Sequence, residues 1–235
     1  MPTLLSRIKR FGLGLESLFF PRICLGCDKG LDNNEAICLS CREKLPYTNF
    51  HLLPENPVTD RLAARIPLTF GGAYLYYRSG TRTQRIIHAL KYYNRPGIGT
   101  ELGKLYGEEL QNVVALADIS GIIPVPLHPK RYHQRGYNQA TYFARGLADS
   151  LQKEVWENAL KRRTFEASQT QKDRLNRARN VSNTFVAGHR DCDHQHVLLV
   201  DDVLTTGATL EACADALTEK WPSIKISIAT IAMAE

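Results

Sequence analysis

The sequence predicts an α/β protein with a mainly parallel sheet flanked by helices, preceded by a small four-cysteine ribbon. From residue 70 onward, apolar strand-like runs alternate with helical patterns, which is typical of a parallel sheet. Before that point, two closely spaced C-x-x-C pairs indicate a metal site. We therefore predict four segments. They are an N-terminal amphipathic helix (1–22), the ribbon (23–46), a linker rich in Pro and Asn (47–69) and the α/β domain (70–235).

Length and composition are those of an ordinary globular protein. The 235 residues are 43% hydrophobic and 23% charged, enough for one good-sized domain with a small appendage. No apolar run approaches the roughly 18 residues that a membrane span needs. Glu16 interrupts the apolar N-terminal stretch and no small-residue cleavage motif follows it, which argues against a secretory signal. We expect a cytoplasmic protein with reduced cysteines.

The net charge of +6 is unevenly distributed. Residues 121–190 contain thirteen Lys and Arg but only five Asp and Glu, a local charge of +8. Together with the acidic pair Asp201–Asp202, this indicates a polarised surface suited to polyanionic ligands. A solvated, loop-rich surface is the alternative interpretation.

The predicted N-terminal helix has one apolar face. Its apolar residues recur at spacings of four and three: Leu4, Ile8, Phe11, Leu15 and Leu18. We expect this face to pack on the protein itself, with docking to a partner or a membrane surface as the alternative.

Four cysteines are the predicted ligands of a structural zinc ion: Cys24, Cys27, Cys38 and Cys41. Each C-x-x-C pair is a short knuckle that aims two thiolates at one ion, and two knuckles complete a tetrahedral set. The spacer, residues 28–37, contains residues typical of a hairpin turn. Four sulfurs close the coordination shell, so no catalytic water is expected. Two redox dithiols are the alternative.

The α/β domain is predicted from four clear strands, one weaker strand and four helices. The strands are expected at 73–77, 121–126, 196–203 and 224–233, with the weaker one near 156–162. The helices are expected at 81–93, 98–117, 138–151 and 207–220.

The stretch "VLLVDDVLTTGATL" (197–210) carries the predicted ligand site. An apolar strand ends on Asp201 and Asp202, and ligands of open parallel sheets bind at the carboxyl ends of strands. Two adjacent carboxylates need hydroxyl groups or a cation to compensate them. The sequence therefore predicts a hydroxyl-rich ligand beside this pair, with or without Mg²⁺.

The turn that follows is a predicted phosphate-binding loop, made of Thr205, Thr206, Gly207, Ala208 and Thr209. Its backbone N–H groups, its hydroxyls and the dipole of the next helix all favour an anion. A ribose 5-phosphate fits both halves of this site. A nucleoside-triphosphate loop is excluded because no lysine occurs in the turn. An ordinary capped helix with solvated aspartates is the alternative.

Residues 197–209 resemble the phosphoribosyl-pyrophosphate (PRPP) signature of type I phosphoribosyltransferases. Together with the cysteine ribbon, "PVPLHPKRYHQRGYNQA" (124–140) and "SQTQKDRLNRARNV" (168–181), the chain resembles the ComF family. Proteins of that family are cytoplasmic and are tied to DNA uptake in natural transformation. The resemblance extends over nearly the whole chain from Cys24 onward.

The resemblance implies roles for individual residues. Asp201 and Asp202 would act catalytically by holding the ribose hydroxyls, directly or through Mg²⁺, while residues 205–209 would hold the 5-phosphate. Lys130 and Arg131 would bind pyrophosphate. A mobile loop would offer Lys172, Arg174, Arg177 and Arg179. Cations and Mg²⁺ at these places would stabilise the negative charge that builds on departing pyrophosphate.

Two features depart from the enzyme pattern. Thr205 stands where purine-salvage members carry an aspartate that acts on the base, so a general acid or base is missing there. A hood over the acceptor would have to come from residues 61–115 or from the ribbon. No residue identifies an acceptor.

Two functions remain open from the sequence. The first is handling of single-stranded DNA in uptake, together with DNA-uptake machinery, on a scaffold that binds PRPP. Basic stretches at 85–96 and 130–138 would contact phosphates, and Tyr92, Tyr93, Tyr132 or Tyr137 would stack on bases unless they belong to the core. The second is an active Mg²⁺-dependent phosphoribosyltransferase for an unidentified acceptor.

Overall fold

A computed structural model describes residues 23–31, 35–163 and 184–235. The predicted N-terminal helix and the four predicted mobile-loop cations, Lys172, Arg174, Arg177 and Arg179, lie outside the described residues. The chain divides into two compact units, Met1–Leu45 and Pro46–Glu235, and each is described by itself.

The small unit is built around the two cysteine knuckles. The Cys24 N–H donates to the Lys29 carbonyl at 2.8 Å, which closes a tight turn. Ile23 and Gly30 form an antiparallel bridge at the base of that turn. The second knuckle begins a short helix, α1 (Leu39–Arg42). Both C-x-x-C pairs are therefore held by local backbone hydrogen bonds.

The large unit contains a five-stranded sheet in which every pairing is parallel, which confirms the predicted fold class. The order of its strands is β1-β7-β6-β2-β3. They are β1 (Leu68–Tyr77), β2 (Gly121–Pro124), β3 (Glu154–Val155), β6 (His196–Leu204) and β7 (Lys225–Ala234). A separate antiparallel ladder pairs β4 (Leu160–Arg162) with β5 (Phe185–Ala187).

Six α-helices of the large unit are described. They are α2 (Pro57–Leu62), α3 (Arg82–Tyr92), α4 (Gly97–Leu110), α5 (Pro129–Arg135), α6 (Gln139–Leu151) and α7 (Ala208–Lys220). The Thr81 hydroxyl caps α3 and the Asn138 amide oxygen caps α6. These caps satisfy backbone N–H groups that have no partner within the helix.

The segment interpreted as a linker, residues 47–69, contains the helix α2. The Asn56 side chain accepts from the N–H groups of Val58 and Thr59, while the Thr59 hydroxyl accepts from the Asn56 N–H, forming a capping box. The Asn56 amide also donates to the Gly71 carbonyl at 2.9 Å. This segment is thereby fastened to β1.

Two predicted elements differ from the structure. The helix expected over 98–117 ends at Leu110, since Asn112 and the β-branched pair that follows it favour other conformations. A 3-10 turn (Val114–Leu116) follows instead. The strand expected near 156–162 is present only at its end, as β4, because the Ala159 N–H turns back to the Trp156 carbonyl. Strand β3 comes before the predicted range and belongs to a different sheet from β4.

Helices α4 and α6 approach each other at glycine. A Cβ atom at Gly103 would lie 2.3 Å from the Phe143 carbonyl oxygen, and one at Gly146 would lie 2.1 Å from the Thr100 carbonyl oxygen. No other residue permits this backbone contact. The close packing holds the start of α6 beside the carboxyl end of β2.

Within the described ranges, no helix combines the length and the apolar character needed to cross a membrane.

Candidate functional site

The candidate site lies where the direction of the chain reverses in the sheet. The chain continues from β6 to β7 on one side of the sheet, and from β2 to β3 on the other side. Such a switch point opens a crevice at the carboxyl ends of the two middle strands. Strand β6 pairs with β2 only as far as Val200, while its pairing with β7 continues to Leu204. Asp201 and Asp202 therefore adjoin the crevice.

A pocket of about 320 Å³ occupies this crevice, and its lining comes from β1, α3, β4, β6, the start of α6 and the segment after β2. Its size is within the range of small-ligand sites. A recess of about 30 Å³ over residues 203–210 shares Asp201, Val203, Thr205 and Thr209 with the pocket. The acidic pair and two threonines of the predicted phosphate loop thus line the same pocket.

The pocket contains more positive than negative charge. Its described lining includes two carboxylates, Asp201 and Asp202. It also includes four cations, Lys91, Arg131, Arg135 and Arg162. Such a concentration of cations in a concave site favours a polyanionic ligand.

The two aspartates are compensated from a distant part of the sequence. The Lys91 ammonium of α3 lies 3.1 Å from Asp202 Oδ2. The Asp202 N–H donates to Asp201 Oδ1 at 2.8 Å. Burial, together with the charge of Asp202, raises the pKa of Asp201 to about 7, although Lys91 and Arg162 act in the opposite direction. Asp201 therefore changes its charge near neutral pH.

The loop between β6 and α7 has the backbone of an anion-binding turn. Gly207 adopts a left-handed conformation with φ of 86° just before α7. A Cβ atom there would lie 2.5 Å from Leu62 Cδ2, so both conformation and space require glycine. Thr205, Thr206 and Thr209 are exposed. Their hydroxyls, with the backbone N–H groups at the start of α7, can bind phosphate.

Two arginines that were not predicted from the sequence bind backbone carbonyl groups of this loop. Arg61 Nη1 donates to the Thr205 carbonyl at 2.6 Å and to the Ala234 carbonyl at 2.9 Å. Arg65 Nη2 donates to the Thr206 carbonyl at 2.9 Å, and its Nη1 donates to Glu211 at 2.9 Å.

In a trans peptide the C=O and the following N–H point in opposite directions. Holding the carbonyls of Thr205 and Thr206 therefore turns the N–H groups of Thr206 and Gly207 away from the arginines. Arg61 lies in α2 and Arg65 in the turn that follows it, so the sequence around them does not reveal the distant partner.

The predicted pyrophosphate residues are separated by the structure. Arg131 lines the pocket, whereas Lys130 is not among the described lining residues. Arg135, at the end of α5, lines the pocket and donates to Gln139 Oε1 at 2.8 Å. Arg162, on β4, lines it as well. These two arginines were missed because their proximity to Asp201 depends on how the chain folds.

The candidate stacking tyrosines differ in exposure. Tyr92 and Tyr93 are each 61% exposed and Tyr132 is 51% exposed. Tyr137 is buried and its hydroxyl donates to the Leu90 carbonyl, so its ring is closed to a ligand. The Arg135 guanidinium lies 5.4 Å from the centre of the Tyr92 ring, which joins the two basic stretches on one surface.

The four cysteines of the small unit form a group that could hold a metal such as zinc. Their sulfur atoms all lie within 4.8 Å of one another, and the sulfurs of Cys27 and Cys38 are 3.8 Å apart. A tetrahedral zinc ion with bonds of about 2.3 Å holds its sulfurs roughly 3.8 Å apart. Burial opposes ionisation of Cys24, but backbone N–H groups of Cys38, Gly26 and Cys27 outweigh it and lower its pKa to about 7. Burial and the neighbouring thiols raise the pKa of Cys41 to about 12, so the fit to a metal rests on the closeness of the four sulfurs.

The sequence is similar to those of known proteins. Residues 138–234 match the phosphoribosyl transferase domain. The chain is 28% identical over 207 residues to the DNA utilization protein YhgH of Escherichia coli O157:H7, covering 83% of each chain. It is also 28% identical over 203 residues to Competence protein F of Haemophilus influenzae, again covering 83% of each. Competence protein ComFC of Bacillus subtilis is 29% identical over 110 residues, or 47% of this chain and 43% of that protein.

We expect Asp201→Asn to stabilise the protein above pH 7 and to have less effect in acid. The pKa of Asp201 lies above its ordinary value of 3.8 in the folded state, so stability falls as pH rises from about 4 to about 7. The amide cannot ionise and therefore avoids this loss. Thermal unfolding followed by circular dichroism across this pH range checks the expectation.

The matched control for this experiment is Asp149→Asn. Asp149 is an exposed carboxylate whose partner, Lys104, is also exposed, so the melting temperature should change little at any pH. A lower melting temperature for Asp201→Asn throughout the range would contradict the expected cost of ionisation.

Proposed function

We propose that this chain, a relative of the ComF-type competence and DNA utilization proteins with a phosphoribosyltransferase domain, binds PRPP or another ligand that contains ribose 5-phosphate. The observation that carries the proposal is a single pocket with the phosphate loop at one end, Asp201 and Asp202 beside it, and a wall of cations. This arrangement has a place for a phosphate, for a diol and for a second polyanionic group.

Each part of the pocket has a role in this proposal. Residues 205–209 bind the 5-phosphate through backbone N–H groups and hydroxyls. Asp201 and Asp202 accept hydrogen bonds from the ribose hydroxyls. Arg131, with Arg135 and Arg162, faces the pyrophosphate, and the charge of these arginines stabilises that group as it departs. Mg²⁺, when bound with PRPP, adds positive charge to the pyrophosphate oxygens.

We further propose that the surface beside the pocket handles single-stranded DNA in uptake, together with DNA-uptake machinery. Tyr92, Tyr93 and Tyr132 are exposed, and the guanidinium of Arg135, which lines the pocket, lies 5.4 Å from the centre of the Tyr92 ring. Aromatic rings stack on bases of any sequence, while Lys and Arg bind the backbone phosphates. The names of the relatives, Competence protein F and DNA utilization protein, support this part of the proposal.

An active phosphoribosyltransferase is the alternative function. One observation favours it: the pKa of Asp201 is raised to about 7, chiefly by burial, and a carboxylate with such a pKa is suited to accept a proton at neutral pH. Of residues 61–115, one of the two segments that could supply a hood, Tyr77 and Lys91 line the pocket. Pyrophosphate release from PRPP in the presence of a nucleophile would distinguish transfer from binding alone.

The cysteine group is proposed to bind a structural zinc ion. Cys24, Cys27, Cys38 and Cys41 supply four sulfurs within 4.8 Å of one another, and four sulfur ligands would leave no open position for a substrate. The ion would hold together a unit too small to have an extensive hydrophobic core.

The first prediction concerns ligand binding. PRPP with Mg²⁺, and ribose 5-phosphate alone, should each release heat on titration into the protein. The double variant Asp201→Asn, Asp202→Asn should lose affinity by about a hundredfold, because two charge-assisted hydrogen bonds to the diol are replaced by neutral ones.

The control for the double variant is Asp149→Asn, which alters an exposed carboxylate elsewhere and should bind like the parent. No binding of either sugar phosphate to the folded parent would overturn the ribose-phosphate proposal.

The second prediction concerns single-stranded DNA. Fluorescence anisotropy should show that the affinity for single-stranded DNA falls steeply as the salt concentration rises. Arg135→Gln should make the slope of log affinity against log salt concentration shallower by the amount expected for about one phosphate contact. The double variant Tyr92→Ala, Tyr93→Ala should weaken binding by about tenfold or more, since stacking stabilises each base by roughly 1–3 kcal/mol.

Two exposed positions serve as controls. Arg145→Gln removes a cation that is paired with Glu157 on the surface, and Val114→Ala removes an exposed apolar side chain. If these variants weaken DNA binding as much as the tyrosine and Arg135 variants, the proposed surface is wrong.

The third prediction concerns the metal. Elemental analysis of the purified protein should find about one zinc ion per chain, and Cys41→Ser should remove most of it. Cys192→Ser, which changes a buried cysteine outside the group, should retain the metal. Zinc retained in Cys41→Ser, or lost equally from both variants, would contradict a four-cysteine site.

A further inference from the structure

The cation nearest the acidic pair belongs to the protein itself. Lys91 lies in the last turn of α3, more than a hundred residues before Asp202 in the chain. Its ammonium is 3.1 Å from Asp202 Oδ2, and the two side chains are 22% and 16% exposed. The pair is therefore mostly sheltered from water. Charge interactions in such a sheltered position are stronger than on an open surface.

This position matters because two adjacent carboxylates at a buried strand end require a positive charge. A divalent ion from solvent is one source of that charge, and a lysine of the chain is another. An ammonium group has three N–H donors. When one of them is directed to Asp202, the remaining donors are available to an oxygen acceptor in the same pocket.

Lys91 is also on the wall that a ribose would contact. Both Lys91 and Asp202 line the pocket. Asp201 lines both the pocket and the recess over residues 203–210. A ribose whose 5-phosphate lies in the recess brings its hydroxyls to the acidic pair. Those hydroxyls can donate to the carboxylates and accept from Lys91 together.

We propose that Lys91 is the resident cation of the ribose subsite, taking the place of a divalent ion beside Asp202 and contacting the sugar hydroxyls directly. This inference rests on the proposed ribose-phosphate function. It makes binding of ribose 5-phosphate independent of Mg²⁺ and limits any Mg²⁺ to the pyrophosphate side of the pocket.

A competing role for Lys91 predicts the opposite result. If the lysine only occupies the acidic pair and has to leave before a sugar enters, removing it would strengthen ribose 5-phosphate binding. The direction of the change in affinity therefore decides between the two roles.

The first measurement uses a divalent ion without any sugar. Mn²⁺ is titrated into the full chain and free Mn²⁺ is followed by electron paramagnetic resonance. Lys91→Gln should bind Mn²⁺ at least about tenfold more tightly than the parent, because removing the ammonium leaves the carboxylates without their counter-charge. Adding Asp202→Asn to Lys91→Gln should abolish the gained site, and Lys91→Arg should behave like the parent. Equal Mn²⁺ binding by the parent and Lys91→Gln would overturn the proposal.

The second measurement is calorimetric titration of ribose 5-phosphate with Mg²⁺ or with chelator. The parent should bind equally in both conditions. Lys91→Gln should bind about tenfold more weakly with chelator and should recover with Mg²⁺, a difference of about 1.4 kcal/mol. Lys104→Gln, which removes an exposed lysine paired with Asp149, is the matched control and should bind like the parent.

The outcomes separate the inference from the function on which it rests. A parent that requires Mg²⁺, or a Lys91→Gln variant that binds the sugar more tightly, would overturn the role of Lys91 while leaving the ribose-phosphate site in place. A parent that binds no ribose 5-phosphate under either condition would overturn the proposed function. The Mn²⁺ titration would then still decide whether Lys91 is the counter-ion of the acidic pair. Circular dichroism and melting temperature establish that each variant is folded.

Discussion

The rest of the site depends on one constraint: the central strand of a parallel sheet carries two adjacent carboxylates just beyond the point where its pairing with β2 stops. Residues 197–200 of β6 are fully buried and have neighbouring strands on both sides. The position of Asp201 and Asp202 is therefore set by the sheet, so a compensating positive charge has to come from side chains of other elements. Lys91 approaches from α3, and Arg162 lines the pocket from β4. The raised pKa of Asp201, caused mainly by burial, shows that this compensation is incomplete.

The predicted phosphate loop, between β6 and α7, is held by a second set of contacts. Arg61 and Arg65 bind the carbonyls of Thr205 and Thr206, while Leu62 packs where a side chain at position 207 would be. The loop is thus shaped from the side opposite the ligand. A preorganised set of N–H donors binds an anion better than a mobile loop, because less ordering is required on binding. Helix α2 therefore matters for the site although it does not line the pocket within the described residues.

The candidate site and the surface beside it retain groups that folding alone would not favour. Tyr92 and Tyr93 remain exposed at the end of α3, and two carboxylates stand side by side on the central strand. Exposed aromatic rings next to cations are typical of surfaces that bind nucleic acids. Relatives at 28% identity over most of the chain bear names tied to competence and DNA utilization, and the domain match covers the acidic pair and the phosphate loop.

The sequence by itself determined the elements whose signals are local. The run from Val197 to Val200, the cysteine spacing and the Thr-Gly turn predicted the central strand, the cysteine group and a turn with positive φ at Gly207, since strand patterning, knuckles and such turns depend on neighbouring residues. Only the tertiary structure decided that Lys91 pairs with Asp202, that Arg61 and Arg65 hold the loop, and that Tyr137 is buried while Tyr92 is exposed. Those contacts join residues far apart in the chain, so they depend on how the strands and helices pack.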